Sequence, residues 1–199
     1  MTAHGPEYPQ DPLYVADVGL PWGDIWLIPL KLLDDDSRAI HLGAVAEMAV
    51  GLHQRAFVGD PLRMMLVGLH EASRLPYVIE AEGKTVGVLT LQHGAARMAG
   101  WADDDSAWLL RGFLIDYASQ GRRLGSRAAV AAVAEARKVT DRLQGGQAGV
   151  VLSVNEANPA ALSAYRNAGF IDRGQYLGGN AGPQRTMYVP FRACGVNSG

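Results

Sequence analysis

The sequence predicts an α/β domain, and three observations carry that prediction. Apolar runs of strand length alternate with helix-period patterns along the chain. Two helix starts are spelled out by a capping residue followed by proline, Asp60-Pro61 and Asn158-Pro159. The 199 residues are 48% hydrophobic and 19% charged, enough apolar material to bury a core without a disulfide or metal staple, and too much for disorder. With 18 basic and 20 acidic residues the net charge is -2, which provides no positive field for nucleic acid or an anionic membrane. The single cysteine, Cys194, excludes an internal disulfide and a multi-cysteine metal site. Glu7 and Asp11 occupy the place where a secretory signal carries a basic patch and an apolar run. The longest uncharged run, 143–155, is too short to span a bilayer. A cytoplasmic location is the expectation.

Residues 1–24 hold four of the ten prolines and no clean period, and read as an N-terminal extension. The domain proper is expected over 25–190, with a short tail over 191–199. A first strand over 25–33 contains Pro29, which confines it to an edge or a bulge. Ser37 can cap a helix whose apolar positions Ile40, Ala44, Met48 and Leu52 recur every four residues. Asp60 caps the next, with Leu62, Met65, Leu66 and Leu69 as its buried stripe and Leu75-Pro76 as its stop. Strands over 77–80 and 85–91 flank Ala81-Glu82-Gly83-Lys84, a hairpin turn. A polar loop over 93–105 ends in Asp103, Asp104 and Asp105. A strand over 108–116 runs through a glycine-punctuated turn into a long helix. That helix buries Ala129, Ala132, Val133, Ala136, Val139 and Leu143, turns Arg127, Glu135, Lys138 and Asp141 to water, and ends at Gly145-Gly146. A strand over 150–154, a helix over 158–167 and strands near 171–177 and 185–189 complete the pattern.

Chemistry concentrates in two segments. The first is Gln120-Gly-Arg-Arg-Leu-Gly-Ser126, between a strand and a helix. A helix N-terminus offers unpaired N–H groups and a positive dipole end, and glycines let successive amides converge on one anion. Arg122 and Arg123 add charge beside it, so a phosphate or pyrophosphate is implied; the alternative is a glycine-capped turn with two solvated arginines. The spacing fits neither the Walker loop nor the dinucleotide fingerprint. The second segment runs from Val154 through Asn158-Pro159, Ala161, Leu162 and Tyr165 to Gly169-Phe170. Taken alone it is a well-capped helix with a core tyrosine.

In this order the two segments resemble the GNAT superfamily of acyl-CoA-dependent N-acyltransferases. The family's pyrophosphate loop reads Gln or Arg, two residues, Gly, one residue, Gly or Ala; Gln120 and Gly125 match, Gly121 is an additional glycine, and Arg123 stands where the first motif glycine is usual. Asn158 to Ala161 and Tyr165 to Phe170 match the downstream pattern. Phe113-Leu114-Ile115-Asp116 before the loop is most similar to bacterial polyamine N-acetyltransferases. The resemblance implies a mixed central β-sheet flanked by helices on both faces, its central strands splayed to hold acyl-CoA. It implies that the backbone of Phe113, Leu114 and Ile115 pairs with the pantetheine arm as an added strand would. Gln120, Gly121, Arg122, Arg123, Leu124, Gly125 and Ser126 would hold the pyrophosphate, with Asn158 on the pantetheine and Tyr165 near the sulfur. Arginine suits position 123 only if that position does not need positive φ.

The implied activity is direct transfer of an acetyl group from acetyl-CoA to a primary amine of a small, polyamine-like molecule. A protein N-terminus or an aminoglycoside-type amine is the alternative acceptor, and an inactive acyl-CoA-binding module the alternative of another class. Many relatives pair as homodimers. A lysine-like amine is about 0.1% neutral or less at pH 7, so the reaction wants a base and a donor to the departing thiolate. Tyr165 is the expected acid, because a phenol near the sulfur can protonate or hydrogen-bond it. Glu80, Asp116 and His93 are the candidate bases, each with an ordinary structural role as alternative, and Asp103 to Asp105 could attract a cationic acceptor. His41, His53 and His70 lack metal-ligand spacing, so no metal is expected. Met48, Met64, Met65 and the four tryptophans suit a core or an acceptor pocket.

Overall fold

The computed structural model describes residues 25–51, 59–179 and 182–191. The extension over 1–24, Leu52, His53, the tail beyond Phe191 and Cys194 lie outside the described residues. Seven strands, β1 (Ile25–Pro29), β2 (Arg74–Ala81), β3 (Lys84–Gln92), β4 (Trp108–Ile115), β5 (Gly149–Asn155), β6 (Ile171–Tyr176) and β7 (Gln184–Pro190), form one sheet in the order β1-β2-β3-β4-β5-β7-β6. Every neighbouring pair is antiparallel except β4–β5, which is parallel. A parallel pair needs a crossover. Here it is helix α3 (Leu124–Leu143). Helices α1 (Asp35–Ala46), α2 (Pro61–His70) and α4 (Pro159–Asn167) complete the domain.

The sheet is covered on both faces, as the alternation of its strands requires. Tyr77, Ile79, Leu89, Leu91, Trp108 and Leu152 form one core with α3 and α4. The buried side of α3 is mostly alanine, with Ala128, Ala129, Ala132 and Ala136 inaccessible, so the helix lies close on the sheet. Val78, Val88 and Leu114 point the other way and pack with Val45 of α1 and Met65 of α2. Over the far half of that face, Ala95, Ala96, Ala99 and Ala107 join Leu109, Val151 and Tyr188. Trp101 stacks on Tyr188 at 4.4 Å between ring centroids. The segment expected as a polar loop over 93–105 is therefore a packed cover. Its aspartates build it: Asp103 accepts hydrogen bonds from the backbone of Asp105 and Ser106, and Asp104 from that of Arg97.

Most element boundaries agree with the sequence, and the differences have physical causes. Ser37 is not the cap of α1; Asp34 is, accepting from the Ser37 backbone at 2.8 Å and from its hydroxyl at 2.7 Å. Ile40 is 73% exposed and Ala44 is exposed too, while Val45 is buried. A repeat of every four residues drifts about 40° per step around a helix, so those positions never shared one face. Leu66 and Leu143 are likewise exposed. Leu75-Pro76 does not stop α2, which ends at His70, but lies inside β2. Pro76 is tolerated there because β1 pairs with β2 only from Tyr77 onward. Glu135 is not free in water: its side chain is 23% exposed and accepts from the Tyr77 hydroxyl at 3.4 Å. The hairpin turn is as expected, with Glu82 and Gly83 at φ 53° and 71°, the pair of positive values a two-residue turn requires.

Candidate functional site

The centre of the sheet is open. β4 and β5 pair only at Trp108 with Val150 and Leu109 with Val151, and β4 has no strand partner on that side beyond Leu109. A β-bulge lies where they part: Val88 faces Leu114 and Thr90 faces Arg111, so Gly112 and Phe113 together oppose Leu89. Gly112 takes φ +58°, and a bulge of this kind bends its strand and sharpens the twist. Close approach of β3 depends on Gly87, where a Cβ would collide with the Leu114 carbonyl. The Asp116 N–H donates to the Val86 carbonyl at 2.9 Å, which turns the backbone of Asp116 and Leu114 toward β3. By alternation the polar backbone of Phe113 and Ile115 faces the gap. The Gln120 side chain donates to the Ile115 carbonyl at 2.9 Å, so Gln120 fastens the turn to the strand end.

The turn then delivers the N-terminus of α3. Arg123, its N-cap residue, gives no side-chain cap, and the N–H groups of Leu124, Gly125 and Ser126 have no partner among the described residues. Four such donors are orphaned at any helix start and demand an acceptor from elsewhere. Arg123 stands at φ +57°, so its position does require the left-handed conformation that glycine adopts freely, and the arginine bears the strain. Arg122 is not a mobile charge at the loop, because its guanidinium pairs with Glu82 in the β2–β3 turn.

Across the gap stands α4. Asn158 caps it, accepting from the Ala161 N–H at 3.1 Å and leaving its amide N–H groups for a ligand. Tyr165 is held between Phe113 and Phe170, with ring centroids 5.8 and 5.7 Å away. Only 9% of Tyr165 is exposed. Its hydroxyl makes no hydrogen bond among the described residues, and it opens onto the gap. Burial pushes the phenol well above its ordinary range.

Two continuous clefts result, sharing Phe113, Asn158, Ala161 and Tyr165. One, of 330 Å³, runs from Phe113 along Gln120 to Ser126 and α4, with Arg122 outside it. The other, of 470 Å³, opens from Tyr165 toward Met64, Thr90, Arg74, Arg111 and Gln184. None of the candidate bases lines either cleft. Glu80 shares the strand face of Val78, toward α1 and α2. Asp116 accepts from the Ala49 N–H at 2.9 Å, while Tyr117 N–H donates to the Ala49 carbonyl at 3.0 Å. His93 packs edge-on against Trp108 at 5.8 Å, and His41 and His70 bond to Thr85 and to the Leu66 carbonyl. Sequence reasoning passed over Arg74, Arg111 and Gly112; for the last two the signal was a charge followed by glycine inside an apolar strand.

No protein-family model and no curated protein sequence matches the chain. Solved structures do. An aminoglycoside acetyltransferase, AAC(6')-Ib, in complex with coenzyme A and kanamycin superposes with a TM-score of 0.58 at 16% identity, over 83% of this chain and 94% of that one. The spermidine N-acetyltransferase of Vibrio cholerae in complex with CoA and spermine gives 0.52 at 16%, over 84% and 95%. An acetyltransferase of Thermus thermophilus gives 0.56 at 17%, over 84% and 97%. The chain has the GNAT acetyltransferase fold, with the mixed sheet and splayed central strands expected of it.

Proposed function

We propose that the protein is an N-acetyltransferase that moves an acetyl group from acetyl-CoA directly to a primary amine of a small molecule. The observation that carries this reading is the gap between β4 and β5, flanked by an uncapped helix start at one end and a buried tyrosine at the other. An added strand's worth of backbone groups at Phe113 and Ile115 suits the amides of a pantetheine arm. The free N–H groups of Leu124, Gly125 and Ser126 suit its pyrophosphate. Acetyl-CoA supplies an activated thioester when bound.

The residues have separable tasks. Asn158 orients the pantetheine arm through its amide. Tyr165 faces the departing sulfur, and its raised pKa keeps it protonated. A thiol ordinarily ionises near pH 8.5, below this phenol, so Tyr165 stabilises the thiolate as a hydrogen-bond donor and keeps its own proton. No carboxylate or histidine lines the cleft among the described residues, which fits an amine that gives its proton to water. Acetyl-CoA-dependent thiol release over a panel of amines tests the proposal. With wild type the rate should rise with pH toward the amine's own pKa, with no downturn from Tyr165 below pH ~10. Tyr165→Phe should lower kcat roughly 100-fold while acetyl-CoA still binds. Unchanged turnover in that variant would remove Tyr165 from the chemistry. A chain that binds acetyl-CoA yet acetylates nothing would be a binding module instead. Polyamines are the acceptors the sequence resemblance suggests, and the wider cleft bears on that choice.

A further inference from the structure

Two arginines stand in the wider cleft, and no acid lines that cleft among the described residues. Arg74, at the start of β2, has a side chain only 17% exposed; its Nε lies 2.8 Å from Glu71 Oε2. That contact is an ion pair without an aligned hydrogen bond: the Nε is buried and its N–H has no acceptor among the described residues. Arg111, half-buried on β4 next to the bulge, donates to Gln92 Oε1 at 2.9 Å and touches Met98 Sδ at 3.7 Å. No carboxylate lies within ion-pair distance of it among the described residues. Burial first, and then the neighbouring Arg74, lower its hold on its proton, and Glu71 opposes them. Two cations thus share one carboxylate, beside a cleft that no acid lines among the described residues.

That arrangement repels a polycation and calls for an anion. Resting on the acetyl-transfer reading above, we infer that the acceptor is an amine carrying an oxyanion, a carboxylate or a phosphate, which Arg111 and Arg74 bind in the wider cleft. The fork geometry of a guanidinium matches both groups. The pairing also serves the chemistry. A nearby negative charge holds the proton on an amine, and neutralising that charge with arginine lets the proton go. The site then favours a neutral amine although no base lines the cleft among the described residues.

The test compares matched acceptors on the full chain with acetyl-CoA: alanine against alaninamide, O-phosphoethanolamine against ethanolamine, and spermidine. A preference of at least about tenfold in kcat/KM for an acid-bearing member over its partner without the acid is expected, and the pair that shows it distinguishes carboxylate from phosphate. Arg111→Gln should raise KM for that acceptor roughly 10- to 100-fold and abolish the preference. Its thermal shift with acetyl-CoA should match wild type, which also reports that it folds. Equal or better turnover of spermidine or the acid-free partners overturns the inference and leaves acetyl transfer standing. Loss of acetyl-CoA binding in Arg111→Gln assigns the arginines to the donor and overturns it as well. No acetyl-CoA binding by wild type removes both readings, and the wild-type comparison stands even if the variant does not fold.

Discussion

Arg123 concentrates the tension between this sequence and its fold at a single residue. The backbone must turn through a left-handed conformation to start α3, and an L side chain there costs about 1 kcal/mol relative to glycine. Arg123→Gly and Arg123→Ala both remove the guanidinium, so their difference isolates the backbone. The glycine variant should melt roughly 2–4 °C above the alanine variant. Equal melting temperatures would show that the turn carries no such strain. Arg123 borders the narrower cleft and brings a positive charge to the loop where a glycine is lacking, which fits a phosphate-bearing ligand. Tyr165 is the opposite case: the fold buries it without strain, and the proposed role of its phenol, kept protonated by that burial, is that of a hydrogen-bond donor rather than an acid.

At the scale of elements, Asp116 belongs to architecture. Its carboxylate and the following N–H clasp both polar groups of Ala49, tying the segment after α1 to the end of β4. Asp116→Ala should cost about 1–3 kcal/mol of stability while leaving the pH dependence of turnover unchanged. A lost or shifted pH limb would restore it as a base. The β6–β7 edge is fastened by Arg185, which donates to Asp172 through Nε and Nη2 at 2.9 and 2.8 Å. Those hydrogen bonds, chiefly, hold the Asp172 carboxyl below its ordinary value of 3.8. A carboxylate favoured by the fold stabilises it above the unfolded pKa, and the contribution disappears as pH falls through the lower folded value. Between pH 5 and 2 the urea midpoint of Asp172→Asn should therefore fall less than that of wild type; an identical fall would contradict the assignment.

The elements also show what was legible. Asn158-Pro159, Asp60-Pro61 and Glu82-Gly83 act locally, through a cap or a turn, and local chemistry reads directly from residue types. The face of α1 did not, because a four-residue repeat does not say which positions meet the sheet. Nor did the bases: whether Glu80 or Asp116 reaches the gap depends on strand alternation and on Ala49, which is remote in sequence. The arginine-lined cleft joins the start of β2 to the middle of β4, and no motif spans them.

At the scale of the whole molecule, the parts serve one opening. A crossover helix of buried alanines lies close on the sheet, a bulge bends β4 from β5, and α4 brings Asn158 and Tyr165 to the far wall. The most direct test is a thermal-shift titration of the full chain with acetyl-CoA, with dephospho-CoA and ATP as controls. At 100-fold above Kd the ligand should add about 2.7 kcal/mol of stability. For a chain of this size that is a rise of roughly 5–11 °C. A saturable rise with acetyl-CoA that ATP does not reproduce is the predicted result. No rise at millimolar acetyl-CoA, or an equal rise with ATP, would contradict the account of the gap as an acyl-CoA site.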